Sequence, residues 1–192
     1  MSKTILSRRH VLLGVGVSLA MPSVLTAQTW QPNIQASDLV RNNASSFKTQ
    51  RWEEHFDNLG KGAIVADLVS RALHYWSADG TDYRLYPSSV PMTEDLTKRG
   101  YTEIVRKKIG PDWTPTPSML EADPSLTYMA AGPDNPLGTH AMYLSWPAYI
   151  IHGTHDTRKI GRRSSSGCVG LYNEHVAALF AVAPVGTQVR LI

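Results

Sequence analysis

The amino-acid sequence predicts a mostly antiparallel β domain with one or two short helices. The chain has 192 residues, of which 42% are hydrophobic, so it is long enough for one domain with a buried core. Only 18% of the residues are charged, and the chain contains 14 glycines and 12 prolines. Helical bundles and coiled coils are richer in charge and poorer in glycine and proline. The composition therefore favours strands and loops.

The first strand patterns follow a polar segment. Residues 62–76 are rich in β-forming side chains, and the turn residues at 78–81 separate them from a second such run at 82–87, so a hairpin is expected. Residues 102–108 alternate apolar and charged side chains, as a half-exposed strand does. We expect these segments to form the first part of the sheet.

The C-terminal half contains shorter elements. Four prolines in residues 111–124 exclude a regular strand there, and short strands are expected at 141–144 and 148–151. A long loop follows at 153–167.

A single helix is expected near the C-terminus. Asn173 would cap it, and Pro184 would end it. The alternating residues 187–192 predict an edge or closing strand.

The N-terminus has the pattern of an export signal. Arg8 and Arg9 precede an apolar run at 11–21 that is too short to cross a membrane as a helix, and the pair resembles a twin-arginine signal. We expect cleavage after Ala27, so residues 1–27 form the signal peptide, residues 28–60 an N-terminal arm, and residues 61–192 the main domain. No other stretch is long and apolar enough to span a membrane, and the periplasm is the expected location.

The net charge does not indicate a nucleic-acid-binding protein. The formal charge is +3, but three of the basic residues lie in the expected signal peptide, and without them basic and acidic residues balance. The mature chain therefore offers no electrostatic reason to bind nucleic acid or an anionic membrane.

Cys168 is the only cysteine, so an exported protein of this sequence cannot form an internal disulfide. His152 lies 16 residues before Cys168, at the end of a predicted strand. A nearby imidazole can take the proton of a thiol. Gly167 allows close backbone approach, so N–H groups around it could stabilise an oxyanion. These residues fit a cysteine acyl-transfer enzyme, although a structural cysteine beside a core histidine fits them as well.

The same residues resemble the active-site signature of the YkuD family of L,D-transpeptidases. The resemblance rests on these segments: His152-Gly153-Thr154, the eleven residues 154–164, Ser165-Ser166-Gly167-Cys168-Val169 and Asn173. Upstream segments that also resemble the family are Trp113-Thr114-Pro115-Thr116-Pro117, Asn135-Pro136-Leu137-Gly138 and Tyr143-Leu144. The match covers roughly residues 62–192.

The resemblance implies a β-rich sandwich or barrel that acts on the peptide stems of peptidoglycan. Cys168 would hold a tetrapeptide donor as a thioester after release of D-Ala, and His152 would act as general base and acid. The active-site loop would include Ser166, Gly167 and Gly153, with backbone amides as the oxyanion donors. No metal or organic cofactor is expected, and the Cys and His spacing does not fit a zinc site.

Two positions depart from the family pattern. Gly170 stands where the family usually has arginine, and Ser166 stands where many members have histidine. The loop carries four basic residues, namely Arg158, Lys159, Arg162 and Arg163. Arg162 and Arg163 are the candidates to meet stem carboxylates, although a solvated loop explains them too. Trp146, Tyr143 and Asn173 are further candidates for substrate binding, with packing or helix capping as the alternatives.

Several functions share these residues. An acceptor amine from another stem gives a cross-linking transpeptidase, water gives an L,D-carboxypeptidase, and a free D-amino acid gives an exchange enzyme. An outer-membrane protein as acceptor would anchor that membrane to peptidoglycan. A peptidoglycan-binding module with an inert thiol is the non-enzymatic alternative.

Overall fold

The computed structural model describes residues 48–192, which belong to one compact unit. The predicted signal peptide and residues 28–47 of the predicted arm lie outside the described residues. The ten strands are β1 (Ala63–Asp67), β2 (Ala72–Trp76), β3 (Tyr83–Pro87), β4 (Val90–Pro91), β5 (Gly100–Ile109), β6 (His140–Leu144), β7 (Ile150–His152), β8 (Arg163–Ser165), β9 (Val169–Gly170) and β10 (Gln188–Leu191). The helices within residues 48–192 are α1 (Pro117–Ala122) and α2 (Asn173–Val182), with 3₁₀ turns at Trp52–Glu54 and Thr157–Lys159. The mostly β fold with two short helices confirms the predicted class.

Eight strands form one sheet in the order β3-β2-β1-β10-β5-β6-β7-β9, and β4 pairs with β8 in a second, two-stranded sheet. The pairing is antiparallel except at β1/β10, β7/β9 and β4/β8. The strand predicted at 187–192 is β10, but its placement at an edge was wrong, because β10 lies in the middle of the sheet between β1 and β5. A short strand with alternating residues has the same sequence pattern whether it lies at an edge or between two other strands. Only the pairing with distant segments distinguishes the two cases.

The apolar run at 62–76 is two strands and not one. It turns at residues 68–71, where Arg71 adopts a left-handed φ of 58°, and β1 pairs antiparallel with β2. All five residues of β1 are buried because the two faces of the strand meet two different cores. Ile64 and Ala66 join the main core, whereas Ala63 and Val65 pack with Phe56 and other residues in a smaller cluster. Burial on both faces explains why alternation is absent there.

The part of the predicted arm that the structure describes packs on this smaller cluster. Phe56 and Leu59 are 7% and 8% exposed. The Gln50 amide donates a hydrogen bond of 2.9 Å to the carboxylate of Asp67 at the end of β1. This part of the arm contains the 3₁₀ turn at Trp52–Glu54.

Helix α2 covers the main core beside the strands that carry the candidate site. Its Val176 and Leu179 are fully buried, and the helix packs against β6 and β7. The prediction that Asn173 caps this helix was wrong, because Tyr172 occupies the cap position and Asn173 is the first helical residue. In residues 48–192, no helix has the length and apolar character needed to cross a membrane.

Candidate active site

His152 and Cys168 come from adjacent parallel strands. In the register of β7 and β9, Ile151 lies opposite Val169 and His152 lies opposite Gly170. Ile151 and Val169 are buried in the core, so the alternate residues His152 and Cys168 point to the other face. Cys168 comes just before β9, which makes it the diagonal neighbour of His152. Diagonal Cα atoms on one face of a sheet are about 7–8 Å apart, within reach of an imidazole.

The two side chains line one cavity of about 410 Å³. One wall continues from the strands through the hydroxyl-bearing residues Ser89, Ser164, Ser165 and Ser166. The facing wall is apolar and comes from residues 113–137; its members are Trp113, Met119, Leu126, Met129, Pro136 and Leu137. The charged and titratable residues in the lining are Asp134, His155 and Lys159, besides the pair itself.

The His152 imidazole is held as a neutral base. Its Nδ1 lies 2.5 Å from the carbonyl oxygen of Gly153, which can only accept, so Nδ1 carries the proton and Nε2 has a free lone pair. Burial lowers the pKa of His152 to about 4, and the positive charge of Lys159 acts in the same direction. The imidazole is therefore unprotonated at neutral pH and ready to accept a proton.

The Cys168 side chain is held as a thiol. Burial raises its pKa to about 11, opposed in part by the backbone N–H of Ile150. The Sγ donates a hydrogen bond of 3.4 Å to the carbonyl oxygen of Ala148, which lies in the turn before β7 with a φ of 65°. An alanine rarely adopts this left-handed conformation, so the backbone of the turn is strained. The carbonyl oxygen of this strained residue is the one that contacts the Cys168 thiol.

The turn before Cys168 supplies backbone N–H groups. Gly167 is buried and has a φ of 127°, a backbone conformation that residues with a side chain rarely adopt. The hydroxyl of Ser165 donates a 2.5 Å hydrogen bond to the carbonyl oxygen of Cys168, which fixes that peptide unit. Within the described chain, the N–H groups of Gly167 and Cys168 donate to no other residue, so they are free for an oxyanion. Ser166 lines the cavity beside them.

Gly170 is enclosed by Ser89. The two residues exchange backbone hydrogen bonds of 2.8 and 3.2 Å, and the Gly170 N–H also lies 3.1 Å from the Ser89 hydroxyl oxygen. A Cβ at position 170 would lie 2.3 Å from that oxygen and 3.8 Å from Cε1 of His152. The arginine usual in the resembling family would therefore displace Ser89, and the glycine leaves room beside the imidazole.

The Asn173 side chain connects α2 to the loop after the histidine strand. Its Oδ1 accepts hydrogen bonds from the backbone N–H groups of Thr154 at 3.2 Å and Thr139 at 3.1 Å. A Cβ at either Gly138 or Gly153 would lie 2.2 Å from the same oxygen. Two glycines therefore make the space in which this amide holds the chain next to His152.

Four residues predicted as substrate contacts do not line the cavity. Arg163 forms an ion pair of 3.2 Å with Glu94, and the backbone of Arg162 joins Val90 to the loop. The guanidinium of Arg106 lies 3.4 Å from the ring centre of Tyr143, and Trp146 packs edge-on against Tyr149. A role in binding the substrate stays a prediction for Arg162, Arg163, Tyr143 and Trp146.

Sequence reasoning missed Ser89 and the individual role of Lys159. Ser89 is 81 residues from Gly170 and belongs to no motif, so the sequence carries no signal for it. Lys159 belongs to the basic cluster, but spacing could not tell which of the four side chains enters the cavity. Across residues 48–192, no three His, Cys, Asp or Glu side chains come together as a metal site would require.

Comparison with known proteins gives one family. Residues 61–191 match the family model of the YkuD L,D-transpeptidase catalytic domain. A relative from Fuscovulum blasticum, named as an L,D-transpeptidase of the ATP synthase subunits region, is 60% identical over 96% of this chain and 97% of its own length. The L,D-transpeptidase ErfK/SrfK of Escherichia coli is 37% identical over 71% of this chain. This chain spans 45% of the length of that second relative.

Solved structures share the fold. An L,D-transpeptidase from Mycobacterium smegmatis is similar with a TM-score of 0.54 and 20% identity, over 69% of this chain and 58% of its own. The structure of LdtMt1 in complex with imipenem has the same TM-score with 16% identity, over 69% of this chain and 59% of its own. At these identities the likeness concerns the fold.

Proposed function

Because the chain belongs to the YkuD family of L,D-transpeptidase catalytic domains, we propose that Cys168 is its nucleophile and His152 its general base. The donor is the tetrapeptide stem of peptidoglycan and the site of action is the periplasm. The observation that carries this proposal is the pairing on β7 and β9, which brings the single thiol and a neutral imidazole into one cavity.

In the first half-reaction, Sγ of Cys168 attacks the carbonyl carbon between the L-centre of diaminopimelate and D-Ala. Nε2 of His152 takes the thiol proton and then gives it to the leaving amine of D-Ala, so the peptide C–N bond breaks and a thioester remains. Both groups are neutral at rest, because the pKa of His152 is lowered to about 4 and that of Cys168 is raised to about 11. Proton transfer must therefore accompany the attack.

In the second half-reaction, an acceptor amine attacks the thioester. His152 removes a proton from the amine and returns it to the sulfur of Cys168, which leaves as a thiol. The negative oxygen of each tetrahedral intermediate accepts hydrogen bonds from the free N–H groups of Gly167 and Cys168. The apolar wall around Trp113 and Leu126 limits water at the thioester, and this favours an amine over hydrolysis.

The test is to incubate the purified protein with tetrapeptide muropeptides and to identify the products by mass spectrometry. We expect linked stems, free D-Ala and a transient adduct on Cys168, and all three are absent in Cys168→Ala. Tripeptides alone would assign an L,D-carboxypeptidase. An adduct that resolves only when an outer-membrane protein is added would assign that protein as the acceptor. No adduct on Cys168 with any stem would overturn the proposal.

A further inference from the structure

Lys159 is the one lysine or arginine among the described residues that line the catalytic cavity. It ends the 3₁₀ turn Thr157–Lys159, and its backbone N–H donates to the carbonyl oxygen of Asp156 at 3.2 Å. The loop thus holds Lys159 in the lining of the cavity that Cys168 also lines. A cation in a cavity otherwise lined mainly by apolar and hydroxyl groups is an electrostatic feature that needs a partner.

The other cations of this loop have partners in the protein. The Arg158 guanidinium makes two hydrogen bonds to the Asp156 carboxylate, of 2.8 and 2.9 Å, and Arg163 pairs with Glu94. Lys159 forms no ion pair with a carboxylate in residues 48–192. Its charge also acts on His152, where it adds to the effect of burial in lowering the pKa of the imidazole.

We propose that Lys159 binds a carboxylate of the donor stem beside the scissile bond and thereby selects donors that carry it. This inference rests on the proposed function. Two carboxylates belong to the residues that form that bond: the terminal carboxylate of D-Ala and the carboxylate at the end of the diaminopimelate side chain. Either can pair with Lys159, because the one carboxylate of the cavity lining, Asp134, forms no ion pair with it in residues 48–192.

The experiment measures formation of the Cys168 adduct in a single turnover, by intact-protein mass spectrometry, with three synthetic donors. The first is the tetrapeptide with both carboxylates free, the second has a terminal D-alaninamide, and the third has the diaminopimelate side-chain carboxylate amidated. A charge-assisted hydrogen bond is worth about 1.5–3 kcal/mol, so the wild type should prefer the free acid by about tenfold to a hundredfold over one amide. The amidated donor that reacts more slowly than the free acid identifies the carboxylate that Lys159 binds.

Lys159→Gln should lose this preference, so that the free acid and the amide react at similar rates. Lys159→Arg should restore most of it. The matched control is Arg158→Gln, which removes the adjacent cation but leaves the cavity lining intact, and its preference should equal that of the wild type. Thermal melting of each variant shows that the fold is kept.

Two kinds of failure can be told apart. If Lys159→Gln keeps the full preference for the free acid, or if Arg158→Gln lowers it equally, the role of Lys159 is overturned and the transpeptidase mechanism stands. Equal rates of the wild type with all three donors also overturn it. If the wild type forms no adduct on Cys168 with any donor, the proposed function fails, and the inference about Lys159 fails with it.

Discussion

The two walls of the catalytic cavity are built in different ways. The wall that carries His152 and Cys168 belongs to the ladder of β7 and β9, so the register of the sheet positions both side chains. The facing wall comes from residues 111–137, where the backbone makes one isolated bridge between Trp113 and Met129. The buried side-chain amide of Asn135 makes several further hydrogen bonds to the backbone of this segment. Precise geometry is thus found where the proposed nucleophile and base lie, and a looser apolar surface is found opposite.

Asn135 shows how a segment rich in proline keeps its shape without a sheet. Its Nδ2 contacts the carbonyl oxygens of Pro111, Met129 and Ala130 at 3.0–3.2 Å, and its Oδ1 accepts from the N–H of Leu137 at 2.8 Å. The side chain replaces the hydrogen bonds that a neighbouring strand would supply. The contrast teaches that one buried amide can hold a loop wall, whereas the proposed catalytic pair is positioned by the strand ladder.

The largest expected effect breaks the strand wall. In His152→Gln the thiol has no base, so adduct formation at pH 7 should fall by about 10²–10⁴-fold. The pKa of Cys168 is about 11, so the residual rate should rise about tenfold per pH unit between pH 7 and 10 as thiolate forms. Single-turnover mass spectrometry over this range measures both effects. A wild-type rate in the variant would remove His152 from the mechanism.

The pH dependence of the wild type separates activity from stability. The pKa of His152 is lowered to about 4, so the adduct should form at a constant rate from pH 7 down to about pH 5 and about tenfold more slowly per unit below pH 4. Between pH 6.5 and 4 the unfolded chain binds the proton and the folded chain does not, so stability should fall as the pH falls. Buried His74, whose pKa is also lowered by burial, acts on stability in the same direction.

Adduct rates and urea midpoints across pH 3–8 measure the two curves. The urea midpoint should decline from about pH 6.5 downwards, before the rate does. A rate that halves near pH 6.5 would contradict the neutral, buried imidazole. In a His74→Gln variant the stability curve should flatten while the rate curve stays in place, because His74 lies on β2, away from the cavity.

Loss of the Asn135 amide should loosen the apolar wall only. Asn135 is 1% exposed, so Asn135→Ala leaves buried carbonyl groups unpaired and should lower the free energy of unfolding by about 1–3 kcal/mol. KM for the donor should rise with little change in kcat, because His152 and Cys168 keep their ladder. The control is Asn58→Ala, which removes an exposed hydrogen bond to the N–H of Gly60. An equal loss of stability in both variants would refute the special role of Asn135.

The smallest expected effect concerns the contact behind the strand wall. In Gly170→Ala the new methyl group lies 2.3 Å from the Ser89 hydroxyl oxygen, and rotation of that hydroxyl limits the cost to about 1 kcal/mol. The second variant, Ser89→Ala, removes the hydroxyl, so the double variant should be more stable than the two single effects predict. Denaturant unfolding of all four proteins measures this coupling. Strict additivity would show that Ser89 does not enclose Gly170.

The strand patterns predicted much of the fold, and the errors share a cause. β5, β6, β7 and α2 lie close to their predicted positions because local alternation or helical spacing specifies them. Helix α1 was missed: the four prolines of its region exclude a strand but do not indicate a helix, yet Pro117 occupies the first turn, where its missing N–H costs nothing. The division of residues 62–76 into two strands was also missed. Burial on both faces of β1 removes the alternation of apolar and polar residues, so the sequence does not show where the first strand ends.

The sequence by itself determined the family, the candidate nucleophile and the candidate base, because these lie in motifs whose residues are close along the chain. Tertiary structure alone decided that β10 is central and that Ser89 encloses Gly170. It also decided that Lys159 lines the cavity, whereas Arg162 and Arg163 do not. Asn173 illustrates the boundary, since its position was predictable but its bonds to Thr139 and Thr154 were not. Contacts between distant segments depend on how the strands pair, and no local pattern encodes that pairing.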